Sequence, residues 1–259
     1  MGHGTSMSII FICALATVSP AMPARADGIV EVNDSDWPPY FFAGAKDKPE
    51  GFGKELLKHC FEKTGTRAIF RHTAIKRTMK ELEDGTLDVN VFSVDPRRES
   101  MVMLGHATLF KSEYRPFVRA DSTIKIAKIS DFDSLRIGNL AGLAHTPEFT
   151  RYLEERDKKG EVATVNTPEL NIRMLVTGKI DTFVNTTPTV LWEARELGLE
   201  DKIRPLDYVV KSGTYHVAVS RKSKRINDPA GFLERLDRCL TNTRETSFHK
   251  AISGKYRVP

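Results

Sequence analysis

The sequence predicts an α/β protein. Short apolar runs of strand length alternate along it with longer stretches whose apolar residues recur every three to four positions, and proline or glycine stands at many of the joints. Strand-like runs are IVEV at 29–32, AIF at 68–70, VNVF at 89–92, LRIGNL at 135–140, ATV at 163–165, TFV at 182–184 and HVAVS at 216–220. Helical patterns lie near 54–63, 76–83, 147–158, 168–176, 188–196, 229–240 and 244–252. Strand and helix in this order build a sheet covered by helices. One boundary is especially clear: in Thr167-Pro168-Glu169 a capping hydroxyl precedes a proline at the first helical position.

The start of the chain reads differently. Residues 9–18 form a short apolar run, followed by Ser19-Pro20 and then Ala24-Arg25-Ala26, a small-residue cleavage pattern. The reading is a signal peptide over 1–26, cleaved after Ala26, and an exported protein. The run falls short of the ~20 apolar residues that a membrane span needs. Cys13 follows Phe11-Ile12 and lacks the small residues that precede a lipidated cysteine. The formal net charge of +5 is spread among alternating signs, with no block of Lys and Arg interleaved with aromatics, so a nucleic-acid partner is not expected. Of the three cysteines, Cys60 and Cys239 lie beyond the leader on helical segments. A bridge and two buried thiols are both open at this point.

Two stretches echo each other. Leu82-Glu83-Asp84-Gly85-Thr86-Leu87-Asp88 and Leu175-Val176-Thr177-Gly178-Lys179-Ile180-Asp181 each end a helix, offer a glycine for the left-handed cap, and lead through an aspartate into an apolar strand. Such joints recur in any α/β protein, but two copies also fit two lobes of similar build.

The remaining oddity is Trp37-Pro38-Pro39-Tyr40-Phe41-Phe42, four rings and two prolines in a loop. Further marks are Gly51-Phe52-Gly53-Lys54-Glu55-Leu56, Ser93-Val94-Asp95-Pro96-Arg97-Arg98-Glu99, Leu135-Arg136-Ile137-Gly138-Asn139-Leu140-Ala141-Gly142, Gly178-Lys179-Ile180-Asp181 and the closing 248–256. In order and spacing these resemble the bacterial extracellular solute-binding proteins of family 3, the periplasmic receptors of amino-acid importers. The resemblance implies the two-lobed periplasmic binding protein fold of type II, with a ligand cleft and two crossing hinge strands near 114–120 and 207–215. The first lobe would comprise 27–118 and 211–259 and the second 119–210, so Cys60 and Cys239 would share a lobe, which favours a bridge. A small-molecule ligand, an amino acid or organic acid, and the membrane permease of an ABC importer are the implied partners of a periplasmic monomer. No cofactor or metal is expected.

The resemblance also assigns a site. Arg98 would grip the ligand carboxylate, for which guanidinium geometry is suited, and Ser93 would add a hydroxyl. Prolines would hold an extended loop from which Trp37 or Tyr40 lines the cleft, Phe41 and Phe42 being core. Thr146, before a helix starting near Pro147, would meet an anion in the second lobe, with His145 beside it, where relatives carry more hydroxyls than Leu143 and Ala144 supply. Relatives usually carry an acid for the ligand's ammonium in the strand after Gly178-Lys179-Ile180-Asp181. Here Val184-Asn185-Thr186-Thr187 has none, leaving Thr186 as a neutral acceptor and Asp34 or Glu55 as substitutes. The ligand is then an amino acid held by neutral groups or an acid without an amine. The alternatives are a free-standing ligand sensor and a dehydratase-like enzyme on the same fold, for which 184–187 offers no general acid or base.

Overall fold

The structure is a computed structural model that describes residues 1–2, 28–43, 49–95 and 98–258. The expected leader therefore lies outside the described residues, but for its first two. Nine strands form one sheet: β1 (Val30–Asn33), β2 (Ala68–Arg71), β3 (Val89–Ser93), β4 (Val102–Arg119), β5 (Ile137–Leu140), β6 (Val162–Val165), β7 (Thr182–Thr186), β8 (Ile203–Pro205) and β9 (Lys211–Ser220), in the order β2-β1-β3-β9-β4-β7-β5-β6 with β8 beside β4. Helices α1 (Phe52–Lys63), α2 (Ile75–Asp84), α3 (Pro147–Asp157), α4 (Pro168–Val176), α5 (Thr187–Glu196), α6 (Pro229–Thr243) and α7 (Ser247–Tyr256) cover it.

Two parallel half-sheets are joined by a long antiparallel ribbon. β1 pairs in parallel with β2 and β3, and β5 with β6 and β7. β4 runs beside β9 from Val102 to Tyr114 and then, from Tyr114 to Phe117, beside β7. This 18-residue strand links the two lobes. Its first part escapes the sequence pattern because the register slips between Leu104 and Phe110. There the Asp237 carboxylate of α6 accepts from His106 N (2.7 Å) and Ala107 N (3.0 Å), replacing ladder bonds that the bulge removes.

The apolar cores divide accordingly. One cluster joins Val30, Val32, Leu56, Leu57 and Phe61 to Leu233, Leu236, Leu240 and Tyr256, so α6 and α7 pack with α1. Cys60 and Cys239 are bonded across that packing, with Cα atoms 5.7 Å apart. Other clusters gather Phe132, Ile137 and Phe149, and Phe117, Ile172 and Phe183.

The repeated joint is structural. Gly85 (φ 78°) and Gly178 (φ 71°) both take the left-handed conformation. The aspartate that follows each caps a neighbouring backbone amide: Asp88 Oδ2 accepts from Glu31 N, and Asp181 Oδ2 from Arg136 N, each at 2.8 Å. Among the described residues no helix is long and apolar enough to cross a membrane.

Candidate functional site

In a sheet of this kind ligands gather at strand ends where the order reverses. β1 and β5 are the two central strands of the half-sheets, and the segments that follow them, 34–42 and 141–146, face each other across the cleft. The first is a closed turn, not the extended loop the prolines suggest. Trp37 and Phe41 exchange backbone hydrogen bonds, each at 3.0 Å, around a cis Pro38–Pro39 peptide. The start of α1 holds this turn: Phe52 N donates to Pro39 O, and Gly53 N and Lys54 N donate to Tyr40 O. Gly51 makes the approach possible, since at φ 104° a Cβ there would fall 2.5 Å from Tyr40 O.

The turn sorts its four rings. Phe41 and Phe42 enter the core, as expected. Tyr40 does too: it is 0 % exposed, stacks on Phe110 at 3.8 Å and donates its hydroxyl to Lys111 O at 3.1 Å. Burial pushes its phenol well above the ordinary value. Trp37 remains half-buried, edge-on to Tyr215 (4.8 Å) and Phe110 (5.4 Å), with Nε1 donating to Thr189 Oγ1 of α5 at 3.1 Å.

A cavity of about 570 Å³ lies there, lined by Trp37, Pro38 and Phe42 from one lobe and Leu143, Asn185 and Trp192 from the other. Asn185 enters it because β7 alternates: its side chain is on the wall, while Thr186, 1 % exposed, turns inward. Thr186 N donates to Asn185 Oδ1 at 2.7 Å, so the amide nitrogen is the end left over, and Nδ2 is buried without a partner. The sequence reading named Thr186, whereas the lining of this cavity carries Asn185.

Asp34, its side chain 3 % exposed, holds Lys54 Nζ with Oδ2 at 2.7 Å, while its Oδ1 is buried without a partner. Glu55 is similarly engaged by Lys255 and by the Tyr256 hydroxyl. Thr146 Oγ1 accepts from Phe149 N at 3.3 Å and so caps α3. His145 stands beside it, its ring against Tyr114 and Phe149.

Arg98 and Ser93 come together at the end of β3. Arg98 Nη1 donates to Ser93 O at 3.2 Å, and the guanidinium lies 4.4 Å over the Phe92 ring. The Asp95 carboxylate stands 3.9 Å from its Nη2. Arg97 lies outside the described residues, and Arg77 is exposed beside Glu81. Ser93 pairs with Tyr215 of β9, so Arg98 sits over the hinge ribbon. There Tyr114 and Tyr215 share a hydrogen bond at 3.2 Å, and burial raises both phenols. Lys211, which the sequence reading passed over, extends along the same ribbon. A period-two pattern, Lys211-x-Gly213-x-Tyr215, was the available signal. Among the described residues no cluster of His, Cys, Asp and Glu could hold a metal.

The arrangement can enclose a small molecule between walls from both sides of the sheet. The sequence profile of the bacterial extracellular solute-binding proteins, family 3, matches residues 29–258. Among solved structures the chain is similar to a histidine kinase sensor domain with similarity to periplasmic binding proteins (26 % identity over 90 % of this chain and 96 % of that one, TM-score 0.66). It also matches an ancestral arginine-binding protein bound to arginine (17 %, 90 % and 99 %, 0.66). A third match is the probable amino-acid ABC transporter extracellular-binding protein ytmK from Bacillus subtilis (14 %, 90 % and 98 %, 0.72). Among curated proteins none matches the chain. With its profile match spanning both lobes and their cleft, the chain belongs to the bacterial extracellular solute-binding proteins, family 3.

Proposed function

We propose that this protein captures a small carboxylate-bearing solute, an amino acid or related organic acid, in its interlobe cleft and delivers it to the permease of an ABC importer. The observation that carries this reading is the shared cavity, to which Trp37 and Asn185 contribute from opposite lobes. Its volume suits a small molecule, and Arg98, which stands at the end of β3 outside the lining of that cavity, has a guanidinium suited to a carboxylate. The lobes are taken as 27–118 with 211–259, and 119–210; separate apolar cores support two lobes, although Tyr114, Phe117 and Val118 pack with the second. Export through a leader cleaved after Ala26, a periplasmic location and a monomeric state complete the proposal. Binding without catalysis is favoured by Asn185, whose carboxamide transfers no proton in the strand where the family's acid would stand.

The test is a thermal-shift screen of ligand-stripped protein against amino acids and small organic acids. A ligand at a hundredfold over its dissociation constant stabilises the folded state by ~2.7 kcal/mol. A panel that leaves the melting temperature unmoved would overturn the reading.

A sensor role is the second reading, favoured by the 26 % identity to a kinase sensor domain. Uptake of the bound compound by cells lacking the protein separates the two: lost uptake means an importer component, unchanged uptake a sensor.

A further inference from the structure

One face of α5 lines the cavity between the lobes. Thr189, Trp192, Glu193 and Glu196 all border it, at spacings of three, one and three that bring a helix round to the same side. Exposure rises along this stripe: Thr189 is buried, Trp192 and Glu193 are half-buried, and Glu196 is exposed. The stripe therefore runs from the floor of the cavity to its mouth, over two turns or about 10 Å. From the other lobe Asp36, also exposed, borders the same space.

Charge and hydrogen-bonding capacity divide along that line. The lining holds the carboxylates of Asp36, Glu193 and Glu196 and, among the described residues, no Lys, Arg or His. Glu193 has contacts of its own, whereas Asp36 and Glu196 form no ion pair among the described residues. Glu193 and Glu196 stand in the last turn of α5, where the helix dipole favours cations, so the fold gains nothing from acids there. The floor offers the opposite kind of group: Asn185, 2 % exposed, has its Oδ1 taken by Thr186 N and its Nδ2 buried without a partner. The Thr189 hydroxyl is spent on Trp37 Nε1 and Pro38 O. Between floor and mouth the walls are apolar, from Trp37, Phe42, Leu143 and Trp192.

We infer that the solute is an ω-amino acid, its carboxylate at the floor accepting from the Asn185 amide and its ammonium, at the far end of an aliphatic chain, at the acidic mouth formed by Asp36 and Glu196. This rests on the cleft being the solute site and narrows what occupies it. A donor left unpartnered in a buried wall is costly, and a carboxylate brought to it makes a charge-assisted bond. An ammonium on the adjoining carbon would lie among Asn185, Thr189 and apolar rings, without a counter-charge in the lining. Carried to the mouth it meets carboxylates and stays partly hydrated, a modest gain, while the methylenes between cover the rings. Asp34, off this lining, holds Lys54 with Oδ2 and keeps Oδ1 buried and unpartnered. It is the acid that an α-ammonium would have to reach.

Calorimetric titration of ligand-stripped protein with 4-aminobutanoate, 5-aminopentanoate and 6-aminohexanoate, with their 2-amino isomers and with the unsubstituted acids, tests this. Isomers share atoms and net charge, so the comparison reads the position of the amine alone. We expect at least one terminal amine to bind about tenfold tighter than its 2-amino isomer and about threefold tighter than the plain acid. With Asp36→Asn and Glu196→Gln combined, both at exposed positions, the margin over the plain acid should shrink below about twofold while the plain acid binds as before. Asn185→Asp, which sets an acid at the floor, should move the preference toward the 2-amino isomer. The inference is overturned if every 2-amino isomer binds as tightly as its terminal counterpart, Asp34 then being the acid that meets the ammonium. It is equally overturned if the plain acids match the terminal amines, or if the double variant leaves the margin intact. The solute-binding reading survives all three results. Absence of binding by all of these compounds also overturns the inference, and the broader melting-temperature screen then decides the solute-binding reading by itself.

Discussion

Trp37 Nε1 donates to Thr189 Oγ1 at 3.1 Å, and the same threonine hydroxyl donates to Pro38 O at 2.7 Å. One side chain of α5 thereby fastens both halves of the Trp37-Pro38 peptide, 152 residues away in sequence, and the bond exists only while the lobes are together. A solute that binds between the lobes draws on this contact, because its affinity includes the free energy of closure. Thr189→Val keeps the shape and removes both bonds, each worth about 0.5–1.5 kcal/mol. We predict a loss of affinity of roughly fivefold to a hundredfold with little change in the melting of the ligand-free protein. Titration calorimetry and small-angle scattering check it; unchanged affinity together with an unchanged radius of gyration would show that the contact does not hold the lobes.

The joints of this fold were legible in sequence, and its two crossing strands through the family resemblance, but the first half of β4 was not. Gly85 and Gly178 announce themselves because a left-handed cap tolerates little else, and the aspartates after them occupy equivalent places in the two lobes. β4 hides its first half because the Leu104–Phe110 irregularity breaks the period of two, and its stabilising partner, Asp237, is 131 residues away from His106. The family motif offered both Trp37 and Tyr40, and which of the two lines the cavity was decided by a turn whose closure depends on α1. Asn185 and Thr186 show the limit most sharply: which of two neighbours faces the cavity is a matter of strand register, and register is a tertiary fact.

Arg98 has little to do in the fold. It bonds one carbonyl, rests on Phe92 and stands 3.9 Å from Asp95. Arg98→Ala should therefore spare the melting temperature and lower solute affinity at least tenfold, since a charge-assisted hydrogen bond is worth ~1.5–3 kcal/mol. Retained affinity in a folded variant would remove Arg98 from the site.

Trp37 and Tyr40 should respond in opposite ways. Tyr40→Phe loses a buried hydrogen bond to Lys111 O and should cost the fold about 1 kcal/mol without touching affinity. Trp37→Phe keeps a ring against Tyr215 and Phe110 but loses Nε1, and should weaken binding with modest cost to the fold. Trp37→Ala should lower both, because each aromatic contact adds about 0.5–1.5 kcal/mol beyond burial. Paired denaturant melts and titrations decide the matter; a Tyr40→Phe variant with weakened binding would return that ring to the cleft.

The bond between Cys60 and Cys239 ties α1 to α6 over 179 residues of sequence. It closes a long loop in the unfolded chain and holds the returning C-terminal helices to the first lobe. The oxidised protein should weigh about two hydrogens less than the reduced form, and Cys60→Ser with Cys239→Ser should lose roughly 2–5 kcal/mol of stability. Equal masses before and after reduction would show two free thiols.

His145 gives the fold a dependence on acid. Burial, and then the charge of Lys211, lower its pKa to about 4, against ~6.5 in the unfolded chain. Above pH ~6.5 the imidazole is neutral in both states and contributes no pH dependence. As the pH falls from there, the unfolded chain takes up a proton that the folded protein refuses until about pH 4. Stability therefore drops across that window, by roughly 3 kcal/mol in full, and levels off below it. His145→Phe retains a ring beside Phe149 and Tyr114 and has no proton to take. Unfolding free energies measured at intervals between pH 7 and 4 should fall more steeply for the wild type than for this variant. Parallel curves would mean that His145 is hydrated and titrates in the folded protein as it does in the unfolded one.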